Sequence, residues 1–423
     1  MRMRRLLLFF ALALLPLRPA LAGAETLSKD ELLRTALRDN QSLKAARARW
    51  EMMKQRVPQA RAWDDLMAGV DLQRTGTLNP AKVSDMEWMV SQTIPISGKN
   101  LSRERASIAD ALAAFQELRR VQLDVVTRVQ GAYFRIAGAY GQLEINKRNQ
   151  ELLKQVAEIS RKKYEVGTAT QSDVLLAETE LARLSEGKAM IERDISDQQT
   201  QLNVLRNCPA RTPLAKPEPL SFLSTSLVSQ KAEALALQCR PEVLIGWRKI
   251  EAEKARLQLA RRQWIPDPAF QIKAREFPGT PGIKEYDTGI VFSVPWTNGK
   301  KYSAGVAEAE ESLSSAQHEY EAARTEAAGM VRDQLKKIET FAANYRLFHD
   351  QITPTSRMSV ESTRAGYETD KSSFLELITA RRTLQDIESA GLNQLVEHQV
   401  AIAELEAIVG VSSHISQSKD TSK

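Results

Sequence analysis

The chain has few of the residues from which enzymes and metal sites are built. Its 423 residues include two cysteines and four histidines, and no spacing among the histidines is that of a metal site. It has no Gly-rich phosphate-binding loop and no His-Glu-x-x-His motif, and no Ser-His-Asp arrangement can be inferred. These absences argue against an enzyme and predict neither a metal site nor a cofactor.

Long hydrophobic runs are missing beyond the first 24 residues. The start, MRMRRLLLFFALALLPLRPALAGAE, combines early arginines, an apolar run from Leu6 to Leu15 and Ala-x-Ala sites around Ala22. This pattern predicts a secretory signal peptide over residues 1–24. No other run approaches the roughly 18 apolar residues of a membrane-spanning helix. An exported chain of this kind is destined for the periplasm, the exterior or an outer membrane crossed by strands.

Neither charge nor cysteine content points to a specialised partner. The formal net charge is +6, and four of the positive charges belong to the signal peptide. The basic balance therefore does not indicate nucleic-acid binding. Cys208 and Cys239 flank a Pro-rich segment. An exported chain meets oxidising conditions, so a disulfide between them and two separate buried thiols both stay open.

What the chain does contain is an internal duplication. SQTIPISGK at 91–99 returns as FSVPWTNGK at 292–300, and YEVGTATQSDVL from Tyr164 returns as YETDKSSFLELI from Tyr367. Trp63 matches Trp264 at nearly the same offset. The duplication predicts a first repeat over 25–208, a Pro-rich linker over 209–227, a second repeat over 228–410 and a disordered tail over 411–423.

Helical patterns dominate both repeats. An opening helix is predicted over 29–61 and 228–263, a very long helix over 99–166 and 300–367, and a returning helix over 171–206 and 374–409. At ~1.5 Å per residue each long helix measures on the order of 100 Å, so it needs partner helices rather than a globular core. Pro354 predicts a bend in the second long helix. A coiled-coil seam is indicated by Val125, Ala132, Ile136, Ala139 and Leu143.

Four segments alternate apolar and polar residues, as half-exposed β-strands do. They lie at about 66–73, 86–94, 269–276 and 286–294, close to the ~9–11 residues of a tilted membrane strand. Because lipid does not tolerate unpaired strand edges, four strands must close a barrel with other chains. Two chains or three chains could do so. The residues predicted to face the membrane are Val70, Trp88, Ile272 and Phe292.

This plan resembles the TolC-like outer-membrane efflux proteins over essentially all of the mature chain. The likeness rests on the duplicated helix–strand–strand–helix–helix order, on the proline and Gly-Lys junctions after each second strand, and on the Tyr-break-acid-Leu pattern at the helical turns. SQTIPISGK, preceded by MEWM, looks most like the heavy-metal (CzcC-like) branch.

The resemblance implies a mainly α fold with β: a long α-helical coiled-coil barrel plus four transmembrane strands per chain. A homotrimer would complete a 12-stranded barrel in outer-membrane lipid. The implied partners are a periplasmic adaptor (membrane fusion) protein and an inner-membrane RND-type pump, with no nucleic acid. The chain would be a passive duct of a Gram-negative outer membrane, exporting heavy-metal cations or drugs. Two alternatives stay open: a duct for type I protein secretion, and a periplasmic coiled-coil adaptor.

The resemblance places the two helical turns, 167–172 and 370–373, at the periplasmic tip of the tunnel. Adaptor hairpins meet the tunnel there in this family. Gly167 is expected to adopt a positive φ at the end of the long helix. The residues that would contact the adaptor are Gly167, Thr168, Asp370 and Lys371.

Three residues beside the turns would form the periplasmic aperture. In the family, acids at the positions of Asp173 and Glu376 line or latch the closed entrance, and the tyrosine matching Tyr367 pairs with the acid matching Asp173. A homotrimer would gather three copies of each acid near one axis, and such a ring favours cations. The acids also follow Thr170 and Ser373 by three residues. This is capping-box spacing, so helix capping is a second interpretation.

Overall fold

The computed structural model describes residues 26–73, 85–222, 229–277 and 282–411. The predicted signal peptide, the end of the predicted linker and the tail beyond residue 411 lie outside the described residues. Within the described residues, two similar helical units are joined through one four-stranded sheet. No helix in this part of the chain is both long and apolar enough to cross a membrane.

The helix that opens each repeat is broken once, so the single helices predicted over 29–61 and 228–263 are wrong. At each break one residue is extended, Asn40 with ψ 126° and Arg240 with ψ 125°. The Asn40 side chain accepts a hydrogen bond from the Leu43 backbone N–H at 3.2 Å and caps the next helix. Arg240 precedes Pro241, which disfavours a helical conformation at Arg240. The four helices are α1 (Lys29–Asp39), α2 (Gln41–Arg61), α5 (Ser229–Cys239) and α6 (Pro241–Arg262).

The two long helical hairpins differ at one place. The first consists of an unbroken α3 (Lys99–Glu165) and α4 (Gln171–Leu205). In the second, α7 (Gly299–Leu347) passes through a π-helical turn (Phe348–Ile352) into α8 (Thr353–Glu368), and α9 (Phe374–Val409) returns. A bend was predicted at Pro354; what the structure shows there is this π turn, which ends two residues before the proline. Proline cannot donate the regular helical bond and its ring crowds the preceding turn, so the helix widens there.

The four strands form one antiparallel sheet in the order β1-β2-β3-β4. They are β1 (Met67–Gln73), β2 (Asp85–Thr93), β3 (Pro268–Glu276) and β4 (Glu285–Phe292). The central pair, β2 with β3, joins the two repeats and sets Val90 opposite Ile272. Among the described residues, β1 and β4 each have one neighbour, so both are open edges.

The strand registers separate an apolar face from a charged face. Val70 lies opposite Trp88, and the register continues this row to Ala274 and Tyr286; the alternation along β3 and β4 sets Ile272 and Phe292 on the same face. The side chains of Val70, Trp88, Ile272 and Phe292 are exposed to 46, 47, 57 and 56% respectively. On the other face, Glu87 accepts hydrogen bonds from Lys273 Nζ at 2.7 Å and Arg275 Nη2 at 2.8 Å. In a single chain these charged side chains thus pair with one another, whereas the apolar side chains are exposed.

The helices bury their apolar side chains in three clusters. The largest packs α1 and α2 against α3, α4 and α9 and includes Leu33, Val129, Ile136 and Leu202. A second lies near the helical turns, and a third joins α5, α7 and α9. The seam residues predicted on α3 belong to this interior: buried are Val125, Ala132, Ile136 and Leu143, and Ala139 is partly buried.

Cys208 and Cys239 are free, partly exposed thiols. Cys208 Sγ lies 3.7 Å from the backbone oxygen of Arg206. Of the two states that the sequence left open, the structure therefore has separate thiols, and neither is fully buried.

Candidate functional site at the helical turns

Both long helices end in a left-handed residue. Gly167 has φ +77°, and Asp370, 203 positions later, has φ +61°. The backbone N–H of Thr168 donates to the oxygen of Lys163 at 2.8 Å, and that of Lys371 donates to the oxygen of Gly366 at 2.7 Å. Aspartate adopts this conformation more readily than most residues. The two turns therefore share one cap geometry although their sequences differ.

Asp173 and Glu376 are the third residues of the two returning helices, and both close a capping box. Asp173 Oδ2 accepts from the Thr170 N–H at 3.1 Å, and Thr170 Oγ1 accepts from the Asp173 N–H at 3.3 Å. Glu376 and Ser373 exchange the same two bonds at 3.0 and 3.2 Å. The capping interpretation is confirmed. Each cap uses one oxygen of the carboxylate, so the other oxygen is available for a second role.

Tyr367 is buried between the two hairpins, 6% exposed. Its hydroxyl lies 3.0 Å from Ser160 Oγ on α3, and its ring meets Phe374 edge-on with centroids 5.7 Å apart. The pair of Tyr367 with Asp173 that the resemblance implied does not form within one chain. The hydroxyl reaches α3, whereas the Asp173 carboxylate turns to its own helix cap.

Lys163 connects the end of α3 with the second turn, a role that the sequence did not reveal. Its Nζ donates to the backbone oxygen of Tyr367 at 2.7 Å and to Asp370 Oδ1 at 2.6 Å, and it lies 4.5 Å from the centroid of the Tyr367 ring. A cation in the last turn of a helix also suits the helix dipole. That position in α3 was the only available signal, because the matching residue of the second repeat is Gly366.

Two nearly buried acids tie the hairpins together farther from the turns. Glu180 on α4 accepts from Arg382 on α9 through both of its carboxylate oxygens. Glu388 on α9 lies 2.5 Å from Arg148 on α3 and 2.7 Å from Arg357 on α8. Together with the pair of Lys163 and Asp370, these contacts hold the two hairpins of one chain side by side.

The duplicated hairpins, the shared sheet with an exposed apolar face and the matched turns define a TolC-like fold. The chain belongs to the outer membrane efflux protein family, whose model matches residues 32–207 and 234–411. One match falls on each half, in agreement with the duplication. This is a family of channel proteins rather than enzymes, and membership places the chain in the outer membrane of a Gram-negative bacterium.

Two relatives and two solved structures show how far the likeness extends. The toluene efflux pump outer membrane protein TtgF of Pseudomonas putida is 24% identical over 295 residues, 65% of this chain and 60% of TtgF. The probable efflux pump outer membrane protein SepC, from another strain of Pseudomonas putida, matches with the same values. The match thus spans about 60% of the length of these curated relatives.

The solved structures agree over a larger part of the chain. CusC superposes with a TM-score of 0.80 at 18% identity and covers 91% of this chain and 92% of its own. The CmeC outer membrane channel of Campylobacter jejuni gives 0.79 at 17% identity, with 94% and 92% covered. At such identities the likeness shows the fold.

Proposed function

We propose that this chain is one subunit of a homotrimeric outer-membrane duct of a tripartite efflux system, passively carrying small solutes from an inner-membrane pump and its adaptor to the exterior. The observation that carries the proposal is the four-stranded sheet, with one open apolar face and two open edges, at one end of paired coiled-coil hairpins. The names of TtgF and SepC, both efflux pump outer membrane proteins, support the efflux role.

The open edges of the sheet are an argument for the proposed homotrimer. Backbone groups at the edges of β1 and β4 need partners in lipid, and closure with other chains supplies them. A barrel of twelve strands from three chains would enclose a water-filled lumen, whereas side chains fill the interior of a barrel of eight strands. The face with Glu87, Lys273 and Arg275 would line that lumen, and the face with Val70 and Ile272 would meet lipid.

The direct test is to isolate outer membranes from cells that express the full chain and to reconstitute the purified protein in planar bilayers. A trimer that resists SDS and conducts ions in single-channel steps is expected. A deletion strain carrying the gene should also expel a fluorescent efflux substrate that the deletion strain retains. A monomer in the inner-membrane or soluble periplasmic fraction, without conductance, would refute the proposed duct and favour the adaptor alternative.

Residues at the turns are proposed to set the aperture. Tyr367→Phe removes the hydrogen bond to Ser160 and is expected to raise single-channel conductance in planar bilayers, because the second turn is then held less firmly to α3. Ser160→Ala is the matched control, since it removes the same bond from the other side and should give the same rise. A rise with one variant and none with the other would show that this hydrogen bond does not set the aperture.

The free carboxylate oxygens near the axis are proposed to favour cations. Asp173→Ala should raise conductance, and Glu376→Lys should lower cation selectivity, measured as the reversal potential under a salt gradient. Both variants also lose the acid half of a capping box, in which the carboxylate accepts from the N-cap N–H. Thr170→Ala and Ser373→Ala lose the hydroxyl half, worth about 1 kcal/mol, with the acids retained and serve as controls. Selectivity and conductance equal to those of the parent in the acid variants would leave capping as their only role.

The turns themselves are the proposed contact with the adaptor. Gly167→Trp combined with Thr168→Trp should abolish export by intact cells while the SDS-resistant trimer persists. A Cβ at Gly167 would meet no atom within 4 Å, so bulk there projects outward. Gly167→Ala imposes the same backbone strain at positive φ without the added bulk, and this variant should export nearly normally. Normal export by the tryptophan variant would locate the contact with the adaptor elsewhere; the other proposed contact residues are Asp370 and Lys371.

Two likenesses support two different substrate classes. The strand and junction sequence 86–99 supports heavy-metal cations, whereas the name of TtgF supports apolar solvents and drugs. Growth of the deletion strain with and without the gene, in toluene and in separate zinc, cobalt and copper salts, distinguishes the two. An RND-type pump is the proposed energy source, and co-purification after cross-linking would identify it. The type I secretion alternative predicts instead that a secreted protein is lost from the medium of the deletion strain.

A further inference from the structure

The two β-hairpins of the sheet share one register. Met67 lies opposite Ser91 in the first hairpin and Ala269 lies opposite Val291 in the second, all on the same face of the sheet. Ala269 follows Met67 by 202 residues and Val291 follows Ser91 by 200, and the same two offsets match Asp65 with Asp267 and Pro95 with Pro295. The strand hairpins therefore repeat with their faces preserved, and the pair of β2 with β3 is the one junction between repeats inside the described sheet. A ring of identical chains has to make the same type of junction between β4 of one copy and β1 of the next.

Where the strands of the internal junction join the helices, a nearly buried ion pair links the two repeats. Lys99, the first residue of α3, donates to Asp267 Oδ2 at 2.9 Å and to the backbone oxygen of Ile265 at 2.7 Å. The Lys99 and Asp267 side chains are 11% and 13% exposed. Ser97 adds two bonds to the carboxylate at 2.8 and 2.9 Å. Residues 168 positions apart are thus joined where the strands meet the helices.

The corresponding residues at the open edges have no such partner. Lys300, which follows Lys99 by 201 positions, is exposed, and its ammonium group contacts no acid within the described ranges. Asp65 precedes β1 by two residues, as Asp267 precedes β3 by one; it is exposed, and its carboxylate likewise has no partner in those ranges. One edge of the sheet therefore carries an unpaired cation and the other an unpaired acid.

In the homotrimer of the proposed function, on which this inference rests, β4 of one chain meets β1 of a second copy. We propose that this junction sets Ile290 opposite Val70 of that copy, and that Lys300 forms with Asp65 of that copy the ion pair that Lys99 forms with Asp267. The register follows from adding 200 to Val90 and subtracting 202 from Ile272, which are paired in the internal junction.

The proposed register keeps each face of the sheet uniform. It sets Ile290 opposite Val70 and Phe292 opposite Ala68, so apolar side chains continue around the ring. A slip of one residue would turn β1 over and present Asp71 to lipid. A slip of two residues would preserve the faces, and the ion pair of Lys300 with Asp65 is what would select between these registers.

Cross-linking tests the register. In the full chain carrying Cys208→Ser and Cys239→Ser, the pair Val70→Cys with Ile290→Cys should give covalent dimers and trimers on non-reducing gels after oxidation in isolated membranes. Ala68→Cys or Leu72→Cys, each with Ile290→Cys, represents a slip of two residues and should cross-link about tenfold less, because diagonal neighbours lie ~7–8 Å apart. Stronger cross-linking by a slipped pair would overturn the proposed register.

Charge exchange tests the ion pair. Lys300→Asp and Asp65→Lys should each lower the fraction of SDS-resistant trimer about tenfold, because each places like charges together; the double variant should recover most of it. Lys301→Asp, at the next position, is the matched control and should behave like the parent. Single variants as trimeric as the parent, or a double variant no better than the singles, would overturn the ion pair. If the parent protein itself were monomeric in the membrane, the homotrimer of the proposed function would be refuted.

Discussion

Arginine in place of Val70, Ile272 or Phe292 is expected to block assembly in the outer membrane. All three side chains are exposed on the apolar face of the sheet. A cation that faces lipid near the middle of the bilayer costs roughly 2–4 kcal/mol, and a homotrimer would incur that cost three times. The measurement is the yield of protein in the outer-membrane fraction, relative to the total amount synthesised.

Adjacent residues of the other face provide the control. Asp71→Arg and Gln271→Arg change the same strands at neighbouring positions, but their side chains point away from Val70 and Ile272. They should assemble almost as well as the parent, since the opposite face already carries Lys273 and Arg275. If both sets of variants assembled equally, the assignment of the apolar face to lipid would be wrong.

Lys99→Met is expected to destabilise the folded chain by about 3–5 kcal/mol, because it leaves the Asp267 carboxylate nearly buried without its cation. Denaturant unfolding of the purified protein in detergent micelles measures this loss. Adding Asp267→Asn should recover part of it, as the uncompensated charge is then removed. Lys54→Met is the control: Lys54 forms an exposed pair with Glu51 at 2.9 Å, and its loss should cost less than about 1 kcal/mol.

The same site gives the fold a dependence on pH. Burial by itself raises the pKa of Asp267, but hydrogen bonds from Ser97 and Lys99 outweigh it, so the pKa lies below the ordinary value for aspartate. The unfolded chain therefore binds a proton at this group more readily than the folded one. The stabilisation is present at neutral pH and is lost as the pH falls below the ordinary pKa of aspartate. An Asp267→Asn variant should lose less stability than the parent between neutral and acid conditions.

The long helices, the four strands and the two capping boxes could be recognised from the sequence because their signals are local. An alternating segment shows its two faces within a single short strand, and a capping box needs only one helical turn. The duplication was equally accessible, since it compares the chain with itself. The break at Arg240 also had a local signal, Pro241, although a single helix was predicted there; the matching break at Asn40 carried only the weaker signal of a capping side chain.

The sequence by itself determined the elements, their order and the identity of the turns, because helix periodicity, strand alternation and caps depend on residues a few positions apart. Only the tertiary structure decided which repeat pairs with which, through β2 and β3, and which charges meet. Lys99 with Asp267, Lys163 with Asp370 and Ser160 with Tyr367 join residues 168 or 207 positions apart. No local pattern encodes such contacts, since they form only after the helices and strands have packed.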